Sequence, residues 1–380
     1  MLGQLKRLFS TTASRLALPQ GVPVAGHLRL PRSLVAVSGP DSSKFLNGLL
    51  TIRPPDAPEG VSTGKYGAML NSKGRVVFDS FIYPAHGSPL LAESLPGVDV
   101  ANCYLLEVDT ELADRALRVF NFYKLQSKIT VSLAANLGVW FAWNDEADLD
   151  LGSVGETINN CRLSTLDERA PGLGARAIAT VDPFENVGSS VQLDVYRLRR
   201  YLFGVPEGSA EIVPDKALPL EYCMDYMGGV EFDKGCYVGQ ELTIRTHHHG
   251  VVRKRVAPLV FTEPGEAIPE DLYIPHEMQV GPGDEIFDAK PLPNADALGT
   301  TPYTMPSPAS QSASDSISPF KGSSPFPLRA GARPAGKVIC TLGNVGLGTI
   351  RIDKLGHDFK IGDISVTGLT PYWWPESATE

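Results

Sequence analysis

The sequence predicts an α+β protein: a body of antiparallel sheets with covering helices, followed by a C-terminal β-barrel. Three observations carry this expectation. The N-terminal half alternates hairpin signals with strand–helix–strand order, the pattern of sheets covered on one side by helices. Beyond residue 253 the chain turns into short apolar stretches separated by Gly and Pro turns, the composition of a small barrel. A length of 380 residues exceeds what one core usually supports, so two or three domains are expected. The expected division is a targeting peptide and disordered arm over 1–26, an α+β body of two interleaved subdomains over 27–245, and the barrel over 246–375. A Ser- and Pro-rich insert over 298–334, without helical or strand periodicity, is expected to stay disordered within the barrel domain.

Residues 34–39 read as a strand running into a turn, after which Asp41 is placed to cap a helix over 42–50. Phe45, Leu46, Leu49 and Leu50 fall on one side of that helix, ready to pack on a sheet. A hairpin follows, with strands 67–70 and 75–83 around the turn from Asn71 to Gly74. The second strand alternates polar and apolar residues imperfectly, which predicts burial on both faces. Residues 104–109 form a strand, and 111–123 a helix whose Leu112, Ala116, Leu117 and Phe120 have helical spacing. Strands at 128–133 and 138–143 complete this half, and the acidic stretch 144–156 is a loop. An amphipathic helix over 193–203 is stopped by Gly204, with Pro206 beyond. In the last part, strands are expected at 257–261, 336–341, 346–352 and 364–367. Tyr372 to Pro375 is expected as a packing anchor or a partner surface.

Composition narrows the function. Hydrophobic content of 43% with 20% charged residues is that of an ordinary globular protein. A net charge of -9 argues against a general nucleic-acid binder, and no apolar run is long enough for a membrane-spanning helix. The cysteines Cys103, Cys161, Cys223, Cys236 and Cys340 form no C-x-x-C pair, which suits a reducing compartment and offers no disulfide framework or zinc knuckle. Before Asp41 there is no acidic residue, while Lys6, Arg7, Arg15, Arg29 and Arg32 are basic and Ser10, Thr11, Thr12 and Ser14 supply hydroxyls. That is the composition of a mitochondrial transit peptide, and Arg7-Leu-Phe-Ser10 resembles a matrix-processing site, so a matrix location is expected.

One stretch concentrates the chemistry: Asp233-Lys-Gly-Cys-Tyr-Val-Gly-Gln-Glu241. Gly235 and Gly239 flank Cys236 and allow a tight turn or a close backbone approach. Lys234 and Arg245, if close in space, would favour the thiolate. Gln240 and Glu241 add an amide and a carboxylate suited to orienting a ligand. His247, His248 and His249 follow, but as neighbours on a strand they would point to opposite faces and could not converge on one ion.

Lys234 to Glu241 resembles, without a gap, the signature Lys-Gly-Cys-aromatic-x-Gly-Gln-Glu of the folate-binding, YgfZ-type proteins. These are relatives of the glycine-cleavage T-protein, an aminomethyltransferase, and their mitochondrial branch serves iron–sulfur cluster assembly. Gly39-Pro40-Asp41, Phe45-Leu46-x-Gly48 and Asp167-x-Arg169 with Gly174-x-Arg176 match further parts of the family, so the resemblance runs over 34–352 apart from the insert. It implies an aminomethyltransferase-like, folate-binding body with tetrahydrofolate as ligand. It also implies maturation of 4Fe–4S clusters with A-type iron–sulfur scaffold proteins, for clients such as aconitase and lipoyl synthase. Cys236 is then the functional thiol, a transient ligand of iron or of an iron–sulfur cluster shared with a partner. Lys234, Gly235, Gly239, Gln240, Glu241, Asp79, Arg176 and Arg200 are the residues the resemblance places around a cofactor, with Arg169 and Arg176 as partners for glutamyl carboxylates. The chain departs from the transferases at Phe78-Asp79, where they carry a pair of aspartates, and their glutamate-bearing glycine loop is not visible. A non-catalytic assembly factor is therefore the expected function. The alternative is a tetrahydrofolate-dependent aminomethyl or one-carbon transferase.

Overall fold

The computed structural model describes residues 22–56, 64–95, 97–146, 149, 163–268, 273–276, 278–289 and 333–375. The expected leader up to residue 21, and the expected insert from 298 to 332, lie outside the described residues.

The chain opens with β1 (Ala25–Leu30) and β2 (Arg32–Ser38), then α1 (Ser42–Asn47), the hairpin β3 (Lys65–Leu70) and β4 (Val76–Pro84), α2 (Pro89–Ser94) and β5 (Cys103–Asp109). Next come α3 (Ala113–Lys124), β6 (Thr130–Leu133), β7 (Gly138–Asn144), β8 (Ser164–Leu166), β9 (Ala175–Ala179), β10 (Ser189–Ser190) and α4 (Leu193–Phe203). After α5 (Gln240–His249) the strands β11 (Lys254–Thr262), β12 (Glu285–Asp288), β13 (Gly336–Leu342), β14 (Val345–Arg351), β15 (Asp358–Ile361) and β16 (Ile364–Gly368) follow. They make two sheets, in orders β3-β4-β5-β2-β6 and β10-β1-β7-β9-β8, and a closed barrel, β11-β14-β13-β12-β15-β16. Every pairing among the described strands is antiparallel except β1 with β10. The α+β body and C-terminal barrel are as the sequence predicts.

The first sheet is buried on both sides. On one, Phe78 and Ile82 of β4 join Leu46 of α1 and Ala116 and Phe120 of α3. On the other, Phe81 and Tyr83 share a core with Phe141 and Trp143 of the second sheet. This is why β4 lacks polar alternation: all nine of its residues are buried. The register shift beside Met69 and Leu70 puts Val77 and Phe78 on the same side. The core continues into the barrel through Val256, Ala257 and Leu347.

Several local expectations shift. Asp41 stands at the N-cap of α1, but its carboxylate accepts from the Lys128 N–H (2.7 Å) instead of capping the helix, which ends at Asn47 rather than Leu50. Gly204 does stop α4, with φ 73°. Pro371 packs against it, and the Trp373 indole N–H donates to the Phe203 carbonyl (2.7 Å), so the aromatic tail is an anchor on the body. Ordered structure begins before residue 27: Val22 packs with Leu198 and Leu202, and the Trp143 indole donates to Pro23 O (3.0 Å). The histidines are not on a strand. They form the last turn of α5, exposed, with His247 stacked on Phe232 at 3.6 Å between ring centroids.

Candidate functional site

The signature is a loop leading into a helix. Residues 228–239 cross the end of the first hairpin, tied by Thr51, whose hydroxyl donates to Gly229 O (2.6 Å) and accepts from Ala68 N–H (2.8 Å). The Glu231 N–H donates to Thr51 O (3.0 Å), and Val238 N–H to Gly48 O (3.1 Å). Arg53 grips the loop from outside, donating to Asp233 O (2.5 Å) and to the Glu231 carboxylate (3.2 Å). Gly239 ends the loop with φ 77°, and a Cβ there would run into the Asn71 carbonyl of the hairpin turn. Gly74 mirrors it from the other side: at φ 74°, its Cβ would sit 3.0 Å from Leu242 Cβ. The Gln240 side chain then turns back and accepts from Tyr237 N–H (3.1 Å), fixing the entry to α5.

Within this frame the predicted residues part company. Gly235 does not adopt a positive φ, and a Cβ built on it meets nothing within 4 Å among the described residues. Lys234 turns inward and spends its donors on the carbonyls of Asn47, Leu50 and Ile52. Burial pushes its pKa down to about 8. Glu241 and Arg245 lie on the exposed side of α5. Cys236 is exposed, whereas Cys103 and Cys223 are buried and Cys340 half-buried, with burial pushing each of these thiols up to about 12. Cys161 lies outside the described residues. Among the described residues no cluster of three or more His, Cys, Asp or Glu side chains could hold a metal ion.

Asp79, Arg176 and Arg200 are far from exposed: they belong to a buried ionic network between the two sheets and α4. Arg32 binds Asp79 (3.3 Å) and Glu107 (2.9 Å). Arg169 forks onto Asp167 (2.8 and 2.7 Å) and reaches Glu207 (2.8 Å). Arg176 is shared among Glu107, Asp167, Glu207 and the Tyr196 hydroxyl. Arg200 forks onto Glu211 (2.7 and 2.8 Å). Burial alone would raise the Glu207 pKa, but Arg176, Arg169, Arg200 and Arg32 outweigh it and hold the carboxyl well below its ordinary range. Arg199 is also buried, its guanidinium on Asp145 (2.7 and 3.0 Å). Sequence reasoning missed Arg32, Glu107, Glu207, Glu211 and Tyr196 as members of this network. The available signal was a carboxylate such as Glu107 inside the apolar run Leu105-Leu106-x-Val108.

The network bears on folate. A glutamyl tail needs free cationic forks, and those of Arg169, Arg176 and Arg200 are occupied by the chain's own carboxylates. Arg169 Nη1 and Arg200 Nε are left without hydrogen-bond partners, but they sit on separate guanidinium groups and neither offers a complete fork to a carboxylate. Phe78, where the transferases carry an acid, packs edge-on against Phe120 (5.8 Å) in the helix-covered core, while Asp79 on the opposite face is held by Arg32. The residues at these positions do not fit a reduced folate.

The described geometry has counterparts. The family description "CAF17, C-terminal beta-barrel domain" matches residues 317–376. Glycine cleavage system aminomethyltransferase T from Bartonella henselae has a similar fold, with a TM-score of 0.55 over 92% of this chain and 86% of that one at 12% identity. A mitochondrial iron–sulfur cluster assembly factor IBA57 homolog of Coccidioides immitis is 34% identical over 97% of this chain and 81% of its own length. Its counterparts in Aspergillus fumigatus and Neurospora crassa are 36% and 37% identical, covering 97% and 93% of this chain and 80% and 74% of theirs. An aminomethyltransferase-like body, a C-terminal barrel and full-length similarity at this level place the chain in one group: it belongs to the family of mitochondrial IBA57 iron–sulfur cluster assembly factors.

Proposed function

We propose that this protein acts in the mitochondrial matrix as an assembly factor for 4Fe–4S clusters, with Cys236 as the ligand it lends to a cluster carried by an A-type scaffold protein. The observation that carries the reading is the exposure of Cys236 on a tightly held loop, while the other described thiols are withdrawn into the core or half-withdrawn. A soft thiolate is the protein ligand suited to iron–sulfur chemistry, and one exposed cysteine suits a shared site better than a private one. The cluster is cargo in this scheme, and client enzymes such as aconitase and lipoyl synthase receive it. The aminomethyltransferase fold is present without a fitting set of folate residues, so no step is assigned to a folate.

The test is Cys236→Ser. Serine is nearly isosteric, and the thiol is exposed, so melting behaviour and steady-state protein level are expected to be unchanged. Aconitase activity in mitochondria is expected to fall by an order of magnitude or more, because a hydroxyl neither ionises in this range nor ligates iron well. Normal aconitase activity at a normal level of the variant would refute the thiol role.

A further inference from the structure

The loop carrying Cys236 is held from inside by the residue two positions before the thiol. Lys234 Nζ donates to the carbonyls of Asn47 (2.9 Å), Leu50 (2.6 Å) and Ile52 (2.9 Å). An ammonium has three donors, so each is used. Two of the acceptors lie at the end of α1 and just past it, where helix carbonyls lack partners of their own. Nζ also sits 4.8 Å from the centre of the Tyr237 ring. The side chain on one side of the loop is therefore sealed in, with 8% of Lys234 exposed, while the next two residues, Gly235 and Cys236, face solvent. Among the described residues nothing occupies the space beyond Gly235.

We propose that Lys234 is a positioning residue: by anchoring the loop to the end of α1 it fixes where the Cys236 thiol stands for an incoming, partner-held cluster. This rests on the reading of Cys236 as a cluster ligand. The physical gain is preorganisation. A loop already ordered does not lose conformational entropy when its ligand atom binds, and affinity rises by that amount.

The test mixes the full chain with a cluster-loaded A-type scaffold and follows the visible circular dichroism of the cluster, comparing wild type, Lys234→Met, Cys236→Ser and the double variant. Lys234→Met is expected to weaken the association at least tenfold. Hydrogen exchange at Tyr237 and Val238 should speed up, and the melting transition should stay within a few degrees of wild type. In the Cys236→Ser background the substitution should cost nothing further, since a residue acting through the thiol has nothing left to position. Wild-type affinity for Lys234→Met, with Cys236→Ser inactive, would overturn the positioning role alone. Additive losses in the double variant would overturn it too, by giving Lys234 a role of its own. An unchanged cluster spectrum with Cys236→Ser would instead overturn the ligand reading beneath it. Should Lys234→Met fail to fold, Lys234→Arg decides by the same measurements: it keeps a cation for the carbonyls on a different stem. A loss of affinity that vanishes in the Cys236→Ser background supports the role, and wild-type affinity with Cys236 present rejects it.

Discussion

Glu207 illustrates how one residue in this protein serves several partners at once. Its carboxylate lies against Arg169 and Arg176 and accepts from the Tyr196 hydroxyl (2.9 and 3.0 Å), with Arg200 at 4.0 Å. A buried charge network holds only while every member is matched, and removing one partner leaves an uncompensated charge in a low-dielectric interior. Glu207→Gln should therefore cost about 3–5 kcal/mol, measured by urea unfolding at neutral pH. The pH dependence follows from the sign of the shift. Glu207 has a lower pKa folded than unfolded, so the unfolded chain takes up the proton first. Its contribution is fully present above the unfolded carboxyl value, roughly 4.3, and is lost as pH falls through the interval below. Stability of the glutamine variant should fall less steeply than wild type over that acid range. A parallel fall would show that the Glu207 carboxyl is not held down as described.

At the level of elements, the signature loop and the first hairpin are built to touch through their backbones. Gly239 and Gly74 face each other across that contact, both in left-handed conformation; a Cβ at Gly239 would collide with Asn71 O and one at Gly74 would press on Leu242 and Gly239 O. Gly235 looks equivalent in the sequence and is not, since its surroundings are open and its φ is ordinary. Gly239→Ala should destabilise by at least about 1–2 kcal/mol from the left-handed conformation alone, with more from the collision with Asn71 O. Gly235→Ala should stay within about 0.5 kcal/mol of wild type. Urea unfolding of the pair checks both, and equal losses would sink the distinction. The helix α5 that starts here was not legible beforehand. Its start follows a left-handed glycine, which is not an ordinary N-terminal signal, although the histidines of its last turn and Gly250 beyond them are an ordinary C-terminal one.

Across the whole molecule, the body and the barrel share a core. Val256, Ala257, Leu347 and Trp374 pack in one cluster with Phe81, Tyr196 and Met224, and Arg255 of β11 forks onto Asp225 (2.8 and 2.9 Å). Its guanidinium lies 3.6 Å from the Tyr226 ring centre. Elements that bury their apolar surface against each other lose it together, so calorimetry should give a single unfolding transition. Two resolved transitions would mean that the barrel and the body are stable separately. The exposed thiol stands on the body, at the loop that closes over the first hairpin.

The sequence alone determined the α+β body, the barrel, the hairpin at Asn71 to Gly74, the helix stopped by Gly204 and the stretch that carries Cys236. These rest on local rules: turn residues that permit a given φ, apolar spacing that matches a strand or a helix, and a compact string of chemistry-bearing side chains. Only the tertiary structure decided the direction of each charged residue. Arg176 and Arg200 lie where the family resemblance put ligand-binding arginines, yet Glu207 and Glu211, some distance along the chain, take their forks. Lys234 lies beside Cys236 in sequence, but the free carbonyls at the end of α1 draw it inward while the thiol faces out. A local pattern cannot report this, because a buried charge goes to whichever partner the fold brings within hydrogen-bonding distance, however remote it is along the chain.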